Sequence, residues 1–300
     1  MPSFTTSPAS AAKLLALLSC LVVPISARTT GKFSFLTYNV AGLPAFLSGN
    51  GVPGDKGTNA NSIGRLFAEY DYDIIHVQED FAYHAYIYAT DDHPYRTPTT
   101  GTVPWGSGLN SLLNFPYTTL NRVKWDKCDL NEADCLTPKG FTMMRTQIAS
   151  GVEVDLYNLH ADAGGNSGDF AARSAGIDQI LVYINANSAG RAVIIAGDTN
   201  DRYTNSGRSI TKLRDAGFKD SWVERIKGGV YPTEGAAANP CPVPAPNNAC
   251  EIVDKILYRS GTTVKLDTTA FDYEGDIFLQ ADGNRLSDHN PVRVEFTYSA

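Results

Sequence analysis

The 300-residue sequence is short of positive charge: 25 lysines and arginines stand against 32 aspartates and glutamates, a formal charge of −7. A protein that grips nucleic acid mainly by neutralising phosphates carries a basic excess, so that mode of binding has no support here. Acidity does not exclude phosphate chemistry, because bound divalent cations invert the local field. Long apolar runs are missing after residue 25, which leaves nothing of the length a membrane helix needs. Internal repeats, low-complexity linkers and Asn-x-Ser/Thr sequons are missing too, and the last excludes ordinary N-glycosylation. There is no Gly-x-Ser-x-Gly elbow and no cysteine paired with a base, so a covalent serine or cysteine mechanism has nothing to build on.

Cysteine is scarce, five in all, and one of them lies in a special place. Lys13 precedes the apolar stretch from Leu14 to Ile25, and Ser26-Ala27 then supplies small residues ahead of Arg28. This is the layout of a secretory signal peptide, expected over residues 1–27, with one domain over 28–300 and a secreted, extracellular product. Cleavage removes Cys20. Of the other four, Cys128 and Cys135 are seven positions apart, and Cys241 and Cys250 nine. Two local disulfides are the simplest pairing in an oxidising compartment, although four cysteines allow three connectivities. Neither pair has the spacing of a zinc site.

Strand-length apolar segments are present in number: Phe33–Val40, Asp73–Gln78, Val152–Leu159, Ala192–Ala196, Ile252–Tyr258 and Pro291–Tyr298. Helix-period segments lie between them. Ile63, Leu66, Phe67 and Tyr70 share one face; Phe170, Ser174, Ile177, Leu181 and Ile184 share another, with Arg173 and Asp178 expected to turn outward. Ser209–Ala216, closed by Gly217, reads as a third helix. Strands interleaved with helices predict an α/β domain with helices covering a sheet. Asn239–Ala249, with four prolines, reads as a surface insertion.

Several strand ends turn polar. Tyr38-Asn39, Gln78-Glu79-Asp80, Asn158-Leu159-His160-Ala161-Asp162 and Gly197-Asp198-Thr199-Asn200 do so; Asp254 interrupts a strand and Ser287-Asp288-His289-Asn290 precedes the last one. Singly, such residues are turn formers. Together they fit the rim of a layered fold, where ligands sit. Glu79 and Asp288 offer hard oxygens for Mg²⁺ or Mn²⁺. Asp198 can deprotonate a water with Asn200 beside it, and His160 and His289 can meet charge on a phosphoryl group. His76, His84 and His93 read as packing or surface residues.

These motifs, with Leu36-Thr37-Tyr38-Asn39-Val40 and Val253-Asp254-Lys255-Ile256-Leu257, resemble in their order the endonuclease/exonuclease/phosphatase superfamily over Phe33 to Phe296. The resemblance implies a DNase I-like, four-layer α/β/β/α sandwich. It also implies Glu79 as principal metal ligand, helped by Asn39 and Asp288, and Asp198 positioning and deprotonating the water, with Asn200 alongside. His289 would contact the scissile phosphate and be held by Asp254; His160 would add a contact, with Asp162 in support. Lys139 reads either as a supporting phosphate contact or as an exposed lysine beside Gly140. The implied reaction is metal-dependent, in-line phosphoester hydrolysis without a covalent intermediate.

Leu36 to Pro44, Ser107-Gly108-Leu109 and Pro138-Lys139-Gly140-Phe141 look most like neutral sphingomyelinases and related phospholipase C-type members, which implies a lipid headgroup as substrate. A DNase I-like endonuclease, an inositol phosphate phosphatase and a non-catalytic binding protein are the alternatives. The inositol polyphosphate 5-phosphatases carry Cys-Asp-Arg where this chain has Val253-Asp254-Lys255. Nine aromatics from Phe81 to Trp125 offer either a transient membrane-surface contact or, as the expectation favours, packing within the sandwich.

Overall fold

The computed structural model describes residues 1–4, 29–47 and 50–300, so the expected signal peptide lies, apart from its first four residues, outside them. In chain order the elements are β1 (Thr30–Asn39), α1 (Lys56–Tyr70), β2 (Ile74–Gln78), α2 (His84–Thr90), β3 (Tyr95–Arg96) and β4 (Asn110–Leu113). Next come β5 (Tyr117–Lys124), a 3-10 helix (Asn131–Leu136), β6 (Gly140–Ala149), β7 (Val152–His160), α3 (Ser167–Asn187) and β8 (Val193–Asp198). Then follow α4 (Thr211–Asp215), β9 (Lys219–Asp220), α5 (Ser221–Ile226), β10 (Asp254–Arg259), β11 (Lys265–Tyr273) and β12 (Val292–Ser299).

Two six-stranded sheets result, ordered β11-β12-β1-β2-β4-β3 and β5-β6-β7-β8-β10-β9. Each has one parallel pair, β1 with β2 and β7 with β8, among antiparallel neighbours. Parallel neighbours need a crossover, and α1 and α3 supply it. β1 and β2 lie against β7, β8 and β10, so the two crossover units bring their strand ends to one rim.

The period-two alternation of β1 explains the layering. Phe33 and Phe35 point into the core between the sheets, while Leu36 and Tyr38 point outward to meet Ile63, Leu66 and Phe67 of α1. On the opposite outer face, Phe141 and Tyr157 pack on Tyr183 of α3. Helix, sheet, sheet, helix is therefore the order of layers. Asp55 starts α1 by accepting from the Thr58 amide at 2.8 Å, and Asn166 with Asp169 forms a capping box on α3.

One face differs from the sequence expectation. Arg173 is buried, not turned outward, because its Nη1 donates to the carbonyls of Asp162, Ala163 and Gly164 at 2.9, 3.2 and 3.0 Å. Three carbonyls of an irregular loop need partners, and an arginine on the neighbouring helix supplies them. The cysteines pair as Cys128–Cys135 and Cys241–Cys250. The proline-rich insertion is exposed over most of its length, yet Asn290 ties it down: Asn290 donates to Pro242 O at 2.9 Å and accepts from Ala245 N at 2.8 Å. Among the described residues no helix is long and apolar enough to cross a membrane.

Candidate active site

The rim residues reach one place through strand register. Asn39 ends β1 beside Gln78 of β2, and Glu79 follows directly. His160 ends β7 opposite Asp198, and Asp254 begins β10 opposite the same Asp198. Ser287 to Asn290 lead into β12, whose Val292 pairs with Thr37. Gly197 makes the β7–β8 approach feasible: its φ is +141°, and an added Cβ would sit 2.1 Å from the Leu159 carbonyl oxygen. Below the rim, Gln78 donates to Asn158 Oδ1 at 2.7 Å and Asn158 donates to Val77 O at 3.0 Å, stitching the sheets together.

Two site residues hold unusual backbone. Glu79 and Asn200 have φ of 54° and 48°, left-handed conformations that cost a non-glycine residue roughly 1–2 kcal/mol and aim both side chains inward. The Asn200 amide donates to Asp198 Oδ1 at 2.9 Å, while its side chain donates to Ala161 O at 3.0 Å.

Asp198 is the hub. Its Oδ2 accepts from Asn39 Nδ2 at 3.1 Å and lies 3.5 Å from His160 Nε2 and 3.7 Å from His289 Nε2. His289 Nδ1 meets Asp254 Oδ2 at 2.9 Å. Burial pushes the Asp198 carboxyl up, Asp254 adds to that, and His289 opposes it. Burial also disfavours charge on His289, but Asp254, Asp198 and Asp288 outweigh it and raise its pKa well above the ordinary imidazole value. His160 goes the other way: burial, Lys139 and His289 all hold it far below that value, so it is neutral. The same residue type is thus pushed in opposite directions within one site.

Asn39 sits between two carboxylates. Its Nδ2 donates to Glu79 Oε1 and to Asp198, both at 3.1 Å, and its Oδ1 is spent on the Ala41 amide, so in this arrangement it presents donors, not an oxygen, to the site. Burial raises the Glu79 pKa, with Asp288 adding to the effect. Two half-buried carboxylates on one opening are a donor set suited to a hard divalent cation. Asp198, Asp254 and His289 also bring ligand-type atoms within 4.8 Å of one another.

Asp162 and Lys139 sit beside this centre. Asp162 accepts from the Asp129 amide at 2.6 Å, and burial pushes its pKa up to about 6. Lys139 pairs with Asp134 and donates to Ala161 O at 3.4 Å; it is not a freely exposed lysine. Sequence reasoning missed Lys56, whose buried Nζ donates to Ala41 O and Leu43 O, each at 2.9 Å. Nothing in the sequence marks it, since its role depends on a loop it meets only in the fold. The role of Ser287 in donating to Asn39 O at 2.6 Å was missed as well, although the residue lies within a quoted motif.

The site opens into a cavity of about 940 Å³ lined by Glu79, His160, Lys139 and Asp288, and by Phe46, Leu47 and Leu136. Of the nine aromatics from Phe81 to Trp125, those two are buried, while Tyr86, Tyr95 and Trp105 are exposed.

A family model described as Endonuclease/Exonuclease/phosphatase family 2 matches residues 58–230. A sphingomyelinase of Mycobacterium tuberculosis is 39% identical over 280 residues, covering 90% of this chain and 54% of that protein. The chain therefore spans about half the length of the curated relatives it matches. D. rerio TDP2, solved with a single strand DNA product, superposes with a TM-score of 0.65 at 17% identity, over 88% of this chain and 98% of its own. A Staphylococcus aureus beta toxin solved with bound magnesium ions gives 0.61 at 16% identity, over 88% and 99%. At such identities these two structures establish the fold.

Proposed function

The chain belongs to the endonuclease/exonuclease/phosphatase family, and we propose that it is a secreted, divalent-metal-dependent phosphodiesterase of the sphingomyelinase kind. It would cleave the phosphoester between a sphingolipid alcohol and its headgroup. The observation that carries this reading is the chain of contacts from Asp254 through His289 to Asp198, set beside Glu79 and Asp288.

Asp198 orients the attacking water and takes its proton, a task its raised pKa suits at neutral pH. His289, held protonated by Asp254, puts positive charge against the phosphoryl oxygens, and neutral His160 donates a hydrogen bond there. Glu79 and Asp288 would hold Mg²⁺, with Mn²⁺ able to replace it; the bound ion supplies neutralisation of phosphate charge. Asn39 keeps Glu79 and Asp198 apart and aligned.

The apolar rim supports a lipid substrate. Phe46 is 86% exposed, and Leu47 and Leu136 are exposed with it on the wall of the opening. Such a patch next to a polar site fits contact with a membrane surface. Two disulfides suit an extracellular setting.

The test is ceramide release from sphingolipid micelles. Release should need Mg²⁺, stop with EDTA and fall about 10³-fold in Asp198→Asn. Unchanged release in that variant, or none from any sphingolipid, overturns the proposal; plasmid nicking in Mg²⁺ buffer would replace it with a nuclease.

A further inference from the structure

The catalytic residues face a second cavity, of about 580 Å³, which shares only Asp288 with the apolar-rimmed opening. Asn200, Asp254 and His289 form its near wall, and Arg202 and Asn205 extend it. Arg202 is the unusual element. It is half-buried, its Nε is shielded from solvent, and that Nε has no hydrogen-bond partner. Among the described residues no carboxylate pairs with it. Asp201 accepts from the Arg202 and Ser209 amides at 2.9 and 2.7 Å, and Asp254 holds His289.

Other partially buried arginines make side-chain hydrogen bonds, although Arg173 Nη2, like Arg202 Nε, has no partner. Arg173 caps three carbonyls, Arg96 reaches Tyr88 O at 2.7 Å, and Arg208 reaches Pro232 O at 2.8 Å. A buried Nε–H without a partner costs free energy, and a ligand that accepts its hydrogen bond removes that cost. Asn205 complements it: Nδ2 is spent on Asp201 at 3.1 Å, which leaves Oδ1 as an acceptor. Phe170 is the one Phe, Tyr or Trp among the described residues of the wall, and the Arg173 guanidinium already lies over it at 5.0 Å. A quaternary ammonium, which wants free aromatic faces, finds none of the cage that recognises it.

We infer that this cavity is the headgroup subsite and that it receives a polyhydroxylated headgroup, with Arg202 donating to its oxygens and Asn205 Oδ1 accepting from a hydroxyl. The inference rests on the phosphodiesterase reading. An amphipathic diester then lies with its phosphate at Asp288, its lipid alcohol toward Phe46 and Leu47, and its headgroup toward Arg202.

The experiment compares kcat/KM on two lipids with the same ceramide, one bearing phosphoinositol and one phosphocholine, at equal surface fraction in mixed micelles. The inositol lipid should be favoured by about tenfold or more, since a site built to bond hydroxyls discriminates against ligands lacking them. Arg202→Ala should collapse that ratio toward one. Arg202→Met, which keeps the apolar stem, serves if the alanine variant does not fold. Calorimetric titration with myo-inositol 1-phosphate and phosphocholine supplies a readout apart from turnover, and the former should bind more tightly in an Arg202-dependent way. A ratio of one or below, or a ratio indifferent to Arg202, overturns the inference. Failure to hydrolyse either lipid and bis(p-nitrophenyl) phosphate overturns the enzymatic reading instead, while the titrations still decide the subsite.

Discussion

Two clusters of aspartate and histidine stand among the described residues, Asp91-Asp92-His93 and Asp198-Asp254-His289, each with its ligand-type atoms within 4.8 Å. They share a composition and differ in what is left over. In the first, His93 Nδ1 is 2.5 Å from Asp91 Oδ1 and Nε2 is 2.6 Å from Tyr72 O. Asp91 Oδ2 takes the His93 amide at 3.1 Å and Arg96 Nε at 3.2 Å, so the buried pair is fully occupied by the protein itself. In the second, Asp254 Oδ1 has no partner, and His289 Nε2 stands 3.7 Å from Asp198 at the edge of a cavity. Saturated hydrogen bonding makes a brace; unsaturated hydrogen bonding makes a site.

Paired substitutions probe that contrast most strongly. His289→Ala should lower kcat per folded molecule on a sphingolipid by about 10³-fold. His93→Ala should leave kcat per folded molecule alone and cost about 3–5 kcal/mol of stability by stranding a buried carboxylate. The opposite pattern would break the comparison. Metal binding gives a smaller effect. Mg²⁺ at about 100 times its Kd should add about 2.7 kcal/mol to the stability of the native protein. Glu79→Gln should abolish the thermal shift and Asp92→Asn should keep it; a shift lost in Asp92→Asn would make the first cluster the metal site.

The pH effect is the smallest. Burial disfavours charge on His93, but the bond and charge of Asp91 outweigh it and raise its pKa. A raised imidazole pKa stabilises the fold fully below the unfolded value of about 6.5, and the contribution is lost as pH rises through the folded value. The stability gap between native protein and His93→Ala should therefore narrow with rising pH. A gap constant from pH 5 to pH 9 would show that His93 does not titrate as a pair with Asp91.

Much of the architecture was legible because strands and helices are local. The alternation in Val152 to Leu159 acts within a few residues of itself. Polar residues at six strand ends were legible as a set, because burying them without a purpose would be expensive. Arg173, Lys56 and Arg202 were not. Each is an ordinary charged residue in sequence, and its position is decided by carbonyls or cavities contributed from elsewhere. The apolar rim was half-read: aromatics drew notice, whereas Phe46, Leu47 and Leu136 lie outside the aromatic-rich stretch or carry no ring.

The sequence alone determined the alternation of strand and helix, the motifs' family resemblance and the set of polar side chains available for phosphate chemistry. Only tertiary structure decided which of two Asp–His clusters stays open, why His160 is neutral and His289 charged, and where an arginine is left without a partner. The physical reason is range. Propensity and periodicity act over a few residues, while burial and the electrostatic field at a site sum over groups that the two sheets bring together from residue 39 to residue 289.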